Sequence, residues 1–159
     1  MADAINLLGL DVYLTANTSA TSITGLTKTH YSNLSGYDSK TNSFVTYYDM
    51  SSDGNGFAKK VGTVRDCGQV QLTIPIENAG DMSVIEAIDA NPAHNGVMFI
   101  KYSAAQAALL EKDGIYANVI LTQKTMNEVN ENGYTGAQIQ FEVSGSWKEL
   151  GGSSSTSTT

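Results

Sequence analysis

Cys67–Ala90 reads CGQVQLTIPIENAGDMSVIEAIDA and holds both periodicities from which a small domain is built. Val70, Leu72, Ile74 and Ile76 fall on one face, and Gln69, Gln71, Thr73 and Glu77 on the other. Period two is the mark of a half-buried β-strand. The polar run Asn78-Ala79-Gly80-Asp81 then turns the chain. Met82, Ile85 and Ile88, widened by Val84 and Ala87, form the apolar stripe of a short helix. Ser83 and Glu86 have capping-box spacing, with Asp81 as the rival N-cap. Asn91-Pro92 ends the helix, because proline disfavours a helical residue before it. A strand that carries one helix back over its apolar face supplies most of a core.

Downstream, Gly96–Ser103 (GVMFIKYS) is a strand with apolar residues on both faces, which predicts cover on both sides. Ala104–Asp113 is made of helix formers, with Gly114 where a C-cap would sit. Ile115–Val129 reads as a long strand with Val119 and Leu121 opposite Ile120. Asn130–Gly136 is a hairpin-type turn with Asn132-Gly133 at its tip. Ala137–Trp147 repeats the opening alternation: Ile139, Phe141 and Val143 point one way, and Gln138, Gln140, Glu142 and Ser144 the other.

Upstream, Asn6–Thr15 has the pattern of a strand, and Ile23–Leu34 is mixed. Between Ser35 and Gly62 the pattern fails. Asp53-Gly54 and Asn55-Gly56 are turn signals, and connections in compact domains are typically about 4–6 residues. Tyr37, Phe44, Val45, Tyr47, Tyr48 and Phe57, with Lys59 and Lys60, argue against simple disorder, which is poor in aromatics. The segment is expected either to pack on another subunit or to pair as an extended hairpin.

The 159 residues suit one domain over 1–150, followed by a flexible Gly/Ser/Thr tail at 151–159. No run approaches the roughly 20 apolar residues of a membrane span, so no membrane partner is expected. The acidic N-terminus lacks the basic start of a signal peptide. The net charge is −7 and the 9 Lys and Arg are spread thinly. Tight binding of duplex phosphate needs clustered cations, which are absent from this sequence.

Candidate chemistry is sparse. Cys67 is the single cysteine, and His30 and His94 are both remote from it in sequence. A nucleophile needs a base beside it, so Cys67 reads as a packed residue. The histidines lack metal-ligand spacing. Asp49, Asp53 and Asn55 resemble part of a calcium loop but lack its closing Glu. The expectation is no enzyme, no cofactor and no metal. What remains is a pair of polar strand faces, Gln69, Gln71, Thr73, Glu77 and Gln138, Gln140, Glu142, Ser144, without Lys or Arg. Such faces suit an ordinary solvated sheet. They also suit a wall past which a polyanion moves without sticking, since neutral and acidic side chains cannot pair with phosphate.

Four stretches together resemble the major tail tube proteins of long-tailed, siphovirus-like bacteriophages. They are ITGLTKTH (23–30), VGTVRDCGQVQLTIPIENAGDMSVIEAI (61–88), GVMFIKYS (96–103) and NVILTQKTMNEVNENGYTGAQIQFEVSGSW (118–147), and the resemblance spans roughly residues 5 to 150. It implies a mainly β fold, a sandwich or barrel of two packed antiparallel sheets flanked by one short α-helix, with a long inter-strand loop. It further implies rings, usually hexameric, stacked into a hollow tube in the virion tail and assembled in the host bacterial cytoplasm. Partners implied are other copies of the chain, a tape-measure protein and transiting double-stranded DNA in the lumen, and tail tip and terminator proteins. The eight polar-face residues would then line the lumen, and the 38–62 loop would contact neighbouring subunits. The AAQAALLEKD segment departs from the family, where a plain hairpin is common, and the tail is too short for the extra immunoglobulin-like domain of some relatives. The alternatives are a monomeric β-sandwich binding module for a glycan or protein and, more weakly, a hydrolase with a dispersed site, disfavoured by the missing nucleophile–base pair.

Overall fold

A computed structural model describes residues 10–126 and 136–150. The chain runs β1 (Asp11–Thr15), β2 (Lys28–Thr29), β3 (Asn33–Ser35), β4 (Thr41–Tyr48), β5 (Ala58–Asp66), β6 (Gln69–Pro75), α1 (Ser83–Ala90), β7 (Asn95–Lys101), α2 (Ala104–Leu110), β8 (Gly114–Met126) and β9 (Gly136–Glu149). Seven strands form one curled antiparallel sheet in the order β2-β1-β7-β8-β9-β6-β3, and β4 and β5 form a second, two-stranded sheet. The fold is thus mainly β, with a large and a small sheet and two short helices. The expected turn at Asn130–Gly136 and the 151–159 tail fall largely or wholly outside the described residues.

One face of the large sheet carries the main core. Val70, Leu72 and Ile74 of β6 lie beside Ile139, Phe141 and Val143 of β9, Ala117 and Val119 of β8, Met98 and Ile100 of β7, and Val12 and Leu14 of β1. Ile85 and Ile88 of α1 seal it. The helix lies close on β1 and β7: a Cβ on Gly96 would stand 2.5 Å from the Thr15 carbonyl and 2.9 Å from Ile88. Asn91 fixes the helix end by donating from Nδ2 to the carbonyls of Ala16 (2.9 Å) and Asn95 (2.7 Å).

β7 is covered on both sides, as its sequence predicts. Its other face presents Val97 and Phe99 to a smaller cluster of Tyr13 and Leu150, closed by Ala20, Ile23, Leu26 and Tyr116. The segment that follows β1 therefore serves as a lid over this half of the sheet.

Three local expectations are corrected. Neither Ser83 nor Asp81 caps α1: the N-cap is Met82, which makes no side-chain cap bond. The Asp81 carboxylate instead accepts from the amides of Glu77 (2.8 Å) and Asn78 (2.9 Å), which tightens the preceding turn. Gly114 is not the C-cap of α2, since Glu111 takes the left-handed position at φ 60°. Gly114 opens β8, where a Cβ would collide with the Ile100 carbonyl.

Candidate functional site: a polar sheet face beside a two-sided hairpin

The face of the large sheet opposite the main core is open over β3, β6, β9 and β8. Residues directly paired across antiparallel strands share a face, so the register builds rows. Ser35, Gln71, Gln140 and Gln123 make one row, and Asn33, Thr73, Gln138 and Thr125 the next. Gln69, Glu142 and Ile120 make a third, and Ser144 pairs with Asn118. Asn33, Gln71, Thr73, Gln123, Thr125, Gln138 and Gln140 border a shallow depression. Seven of the eight residues singled out from sequence thus stand on one surface. Glu77 does not: β6 ends at Pro75, and Glu77 lies in the turn held by Asp81.

Sequence reasoning missed the contributions of β3 and β8. Asn33 and Ser35 sit on a strand too short to show a period. In β8 the signal is scrambled by a bulge between Leu121 and Gln123, where the Thr122 hydroxyl donates to the Gln140 carbonyl at 3.0 Å. Plain alternation from Ile120 would turn Lys124 onto the open face. The extra residue shifts the phase. Gln123 and Thr125 take the open positions, and Lys124 pairs with Ile139 on the core side. Among the described residues the three rows therefore carry no cation and Glu142 is their single carboxylate; Lys148 stands further along the same face of β9, 5.9 Å from the centre of the Tyr116 ring.

Of the two expectations for the segment between Ser35 and Gly62, the extended hairpin is the one the structure shows, as β4 and β5. Both strands are exposed along their whole length. Val45, Tyr47, Val61 and Lys59 lie on one side, and Phe44, Thr46, Tyr48, Lys60 and Ala58 on the other. Phe44 is 57% exposed, Tyr48 65% and Phe57 68%. Lys60 lies 5.4 Å from the centre of the Phe44 ring, and Lys59 pairs with Asp49 at 3.6 Å. Asp49 also holds the tip, accepting from the Ser51 amide and hydroxyl, bonds that draw its carboxyl below its usual range. Tyr37 is not on the hairpin; it packs on the main core at the root. There Asp38 meets Lys112 at 3.9 Å. Burial first, then the charge of Asp38 and the nearby Tyr37, push the Tyr102 phenol up to about 12.

Cys67 is buried. Among the described residues no group of three His, Cys, Asp or Glu is placed to hold a metal ion, and no helix is long and apolar enough to cross a membrane.

This arrangement of curled sheet, short helix and exposed hairpin is similar to that of chains in several solved tail structures. It is similar over 93% of the chain to a whole chain in the tail of an empty gene transfer agent particle with C6 symmetry, at TM-score 0.65 and 12% identity. It matches 99% of a chain from the sheath/tube terminator structure of an extracellular contractile injection system, covering 94% of this chain at TM-score 0.63 and 14% identity. It also matches 93% of a chain from the tube-terminating cap of the anti-feeding prophage, covering 94% of this chain at TM-score 0.58 and 14% identity. At these identities the likeness is one of fold. No protein-family model and no curated protein matches the sequence.

Proposed function

We propose that this chain is a structural, non-enzymatic subunit of a phage-like tail tube. Copies close head-to-tail into rings of six, and the rings stack into a hollow conduit with the open polar face turned inward. The observation that carries this reading is the hairpin. A two-stranded hairpin is marginal by itself in water, and this one buries neither side on its own subunit. Each exposed aromatic would gain about 1.5–3 kcal/mol on being covered. A fold shared with chains of tail structures, one of them with C6 symmetry, supports the same reading.

The open face fits the inner wall. Amides and hydroxyls exchange hydrogen bonds with water or a passing polypeptide, but they offer phosphate no counter-charge. Double-stranded DNA and a tape-measure protein are the expected lumen contents. Tail tip and terminator proteins are the expected partners at the ends of the tube. Assembly is expected in the host bacterial cytoplasm, and residence in the virion tail.

Negative-stain imaging of the purified protein at rising concentration tests the reading. Rings or tubes of uniform width are expected. A protein that stays monomeric at every concentration, with or without a tail initiator, would favour a monomeric binding module instead.

A further inference from the structure

The hairpin flank of the large sheet carries both signs of charge, with Asp38, Asp49, Asp53 and Asp66 beside its cations, and helix α1 presents only acidic ones. The hairpin springs from β3 and β6 at one flank, since it leaves Ser35 and returns at Gln69. Lys40, Lys59, Lys60 and Arg65, four of the chain's nine cations, lie on it or at its root. Lys60 and Arg65 make no ion pair with the described carboxylates, and Lys60 rests on Phe44 instead. Helix α1 packs on β1 and β7 towards the other flank. Its outward side is small and acidic: Glu86, Ala87 and Asp89 are exposed, and the helix has no Lys or Arg. Glu86 has no cationic partner among the described residues, and Asp89 has only His94, at 3.3 Å.

A head-to-tail ring that joins the large sheets edge to edge would bring the β3 flank of one copy to the β2–β1 flank of the next. That brings the hairpin of one subunit to the α1 side of its neighbour. We infer that the Phe44–Lys60 side of the hairpin docks on the outward face of α1 in a second copy, with Lys60 against Glu86 and Asp89 and the aromatics over Ala87. The inference rests on the proposed ring and names the surface that closes it. The complementary charges lie on one chain, which makes a second copy the fitting partner. Desolvation strengthens an ion pair whose partners have no alternative, and a like-charge pairing at the same place is repulsive. The contact therefore selects the correct flank as well as holding it.

A charge-swap cycle on the full-length protein tests this. Lys60→Glu and Glu86→Lys should each raise the concentration at which rings or tubes form by about five- to tenfold. The double variant should return it to within about twofold of the parent. A second arm places cysteines at Thr46, which faces Lys60 across the hairpin, and at Ala87. Mild oxidation of the assembled protein should give a ladder of covalent oligomers, and neither single cysteine variant should do so. If the parent forms rings, but the singles assemble normally or the double stays as defective as the worse single with no ladder, the docking surface lies elsewhere and the ring stands. A parent that never forms rings overturns the tail-tube reading, and this inference with it.

Discussion

Strands β6 and β4 are similar in length, and each is hydrogen-bonded to an antiparallel partner, yet only one of them has a dry side. In β6 every second residue is buried, with Val70, Leu72 and Ile74 in the main core. In β4 no residue is buried, although Phe44, Val45, Tyr47 and Tyr48 are as apolar as their counterparts in β6. β6 is paired on both edges and β4 on one, but pairing satisfies the backbone and does not by itself dry a side-chain face. The difference lies in where the covering surface comes from. β6 finds it within its own chain, and the β4–β5 hairpin must find it on another.

The comparison can be broken most severely by a matched pair of substitutions. Phe141→Ala empties a fully buried site beside β6 and should cost about 3–5 kcal/mol, enough to lower the midpoint of chemical denaturation sharply. Phe44→Ser should leave that midpoint within about 0.5 kcal/mol of the parent, while tube formation seen by electron microscopy fails. If both changes unfold the monomer equally, the hairpin belongs to the core after all.

The polar side of the same sheet can be tested with little effect on stability. Gln123→Lys combined with Lys124→Gln keeps the net charge but turns a cation onto the open face. Tubes should still form, and DNA release from assembled particles should slow severalfold, through added phosphate contacts that weaken at high salt. Release at the parental rate would show that this face does not line the path of the DNA. The triple change of Gln71, Gln140 and Glu142 to Lys should slow release further.

A smaller effect comes from the junction between body and hairpin. Tyr102 is held neutral by burial and by Asp38, and its folded pKa is raised to about 12. For an acid whose folded pKa lies above the unfolded value of roughly 10, the stabilisation is whole below that pH. It is lost as the pH rises towards 12. Thermal melts should show Tyr102→Phe losing less stability than the parent between pH 10 and 12, with little difference at pH 7. Equal losses would separate Tyr102 from the alkaline transition.

How much of this was legible in the sequence follows from the same contrast. Alternation is readable wherever one side of a strand meets a core, which is why β6, β9 and their polar residues stand out. The double cover of β7 is readable from Val97 and Phe99 interleaved with Met98 and Ile100. The hairpin was legible only as one of two alternatives, because neither side meets a core within the chain and its apolar residues have no reason to alternate. The turn signals at Asp53-Gly54 and Asn55-Gly56 and the aromatic content gave the only cues. The β8 part of the open face was hidden by one inserted residue at Thr122, and a bulge leaves no periodic trace. Glu77 was misplaced for the opposite reason. The alternation ran on past Pro75 on paper, while the Asp81 carboxylate bent the chain away.

The central claim is that the body folds alone and the hairpin builds the assembly. The direct measurement replaces residues 41–66 with a Gly-Gly link, a short gap to bridge because Thr41 and Asp66 are paired neighbours. The melting transition and the electron micrographs of this variant are then compared with those of the full chain. A cooperative monomer with a near-parental transition and no rings or tubes is the expected result. Tubes of normal width, or a chain that no longer folds, would contradict it.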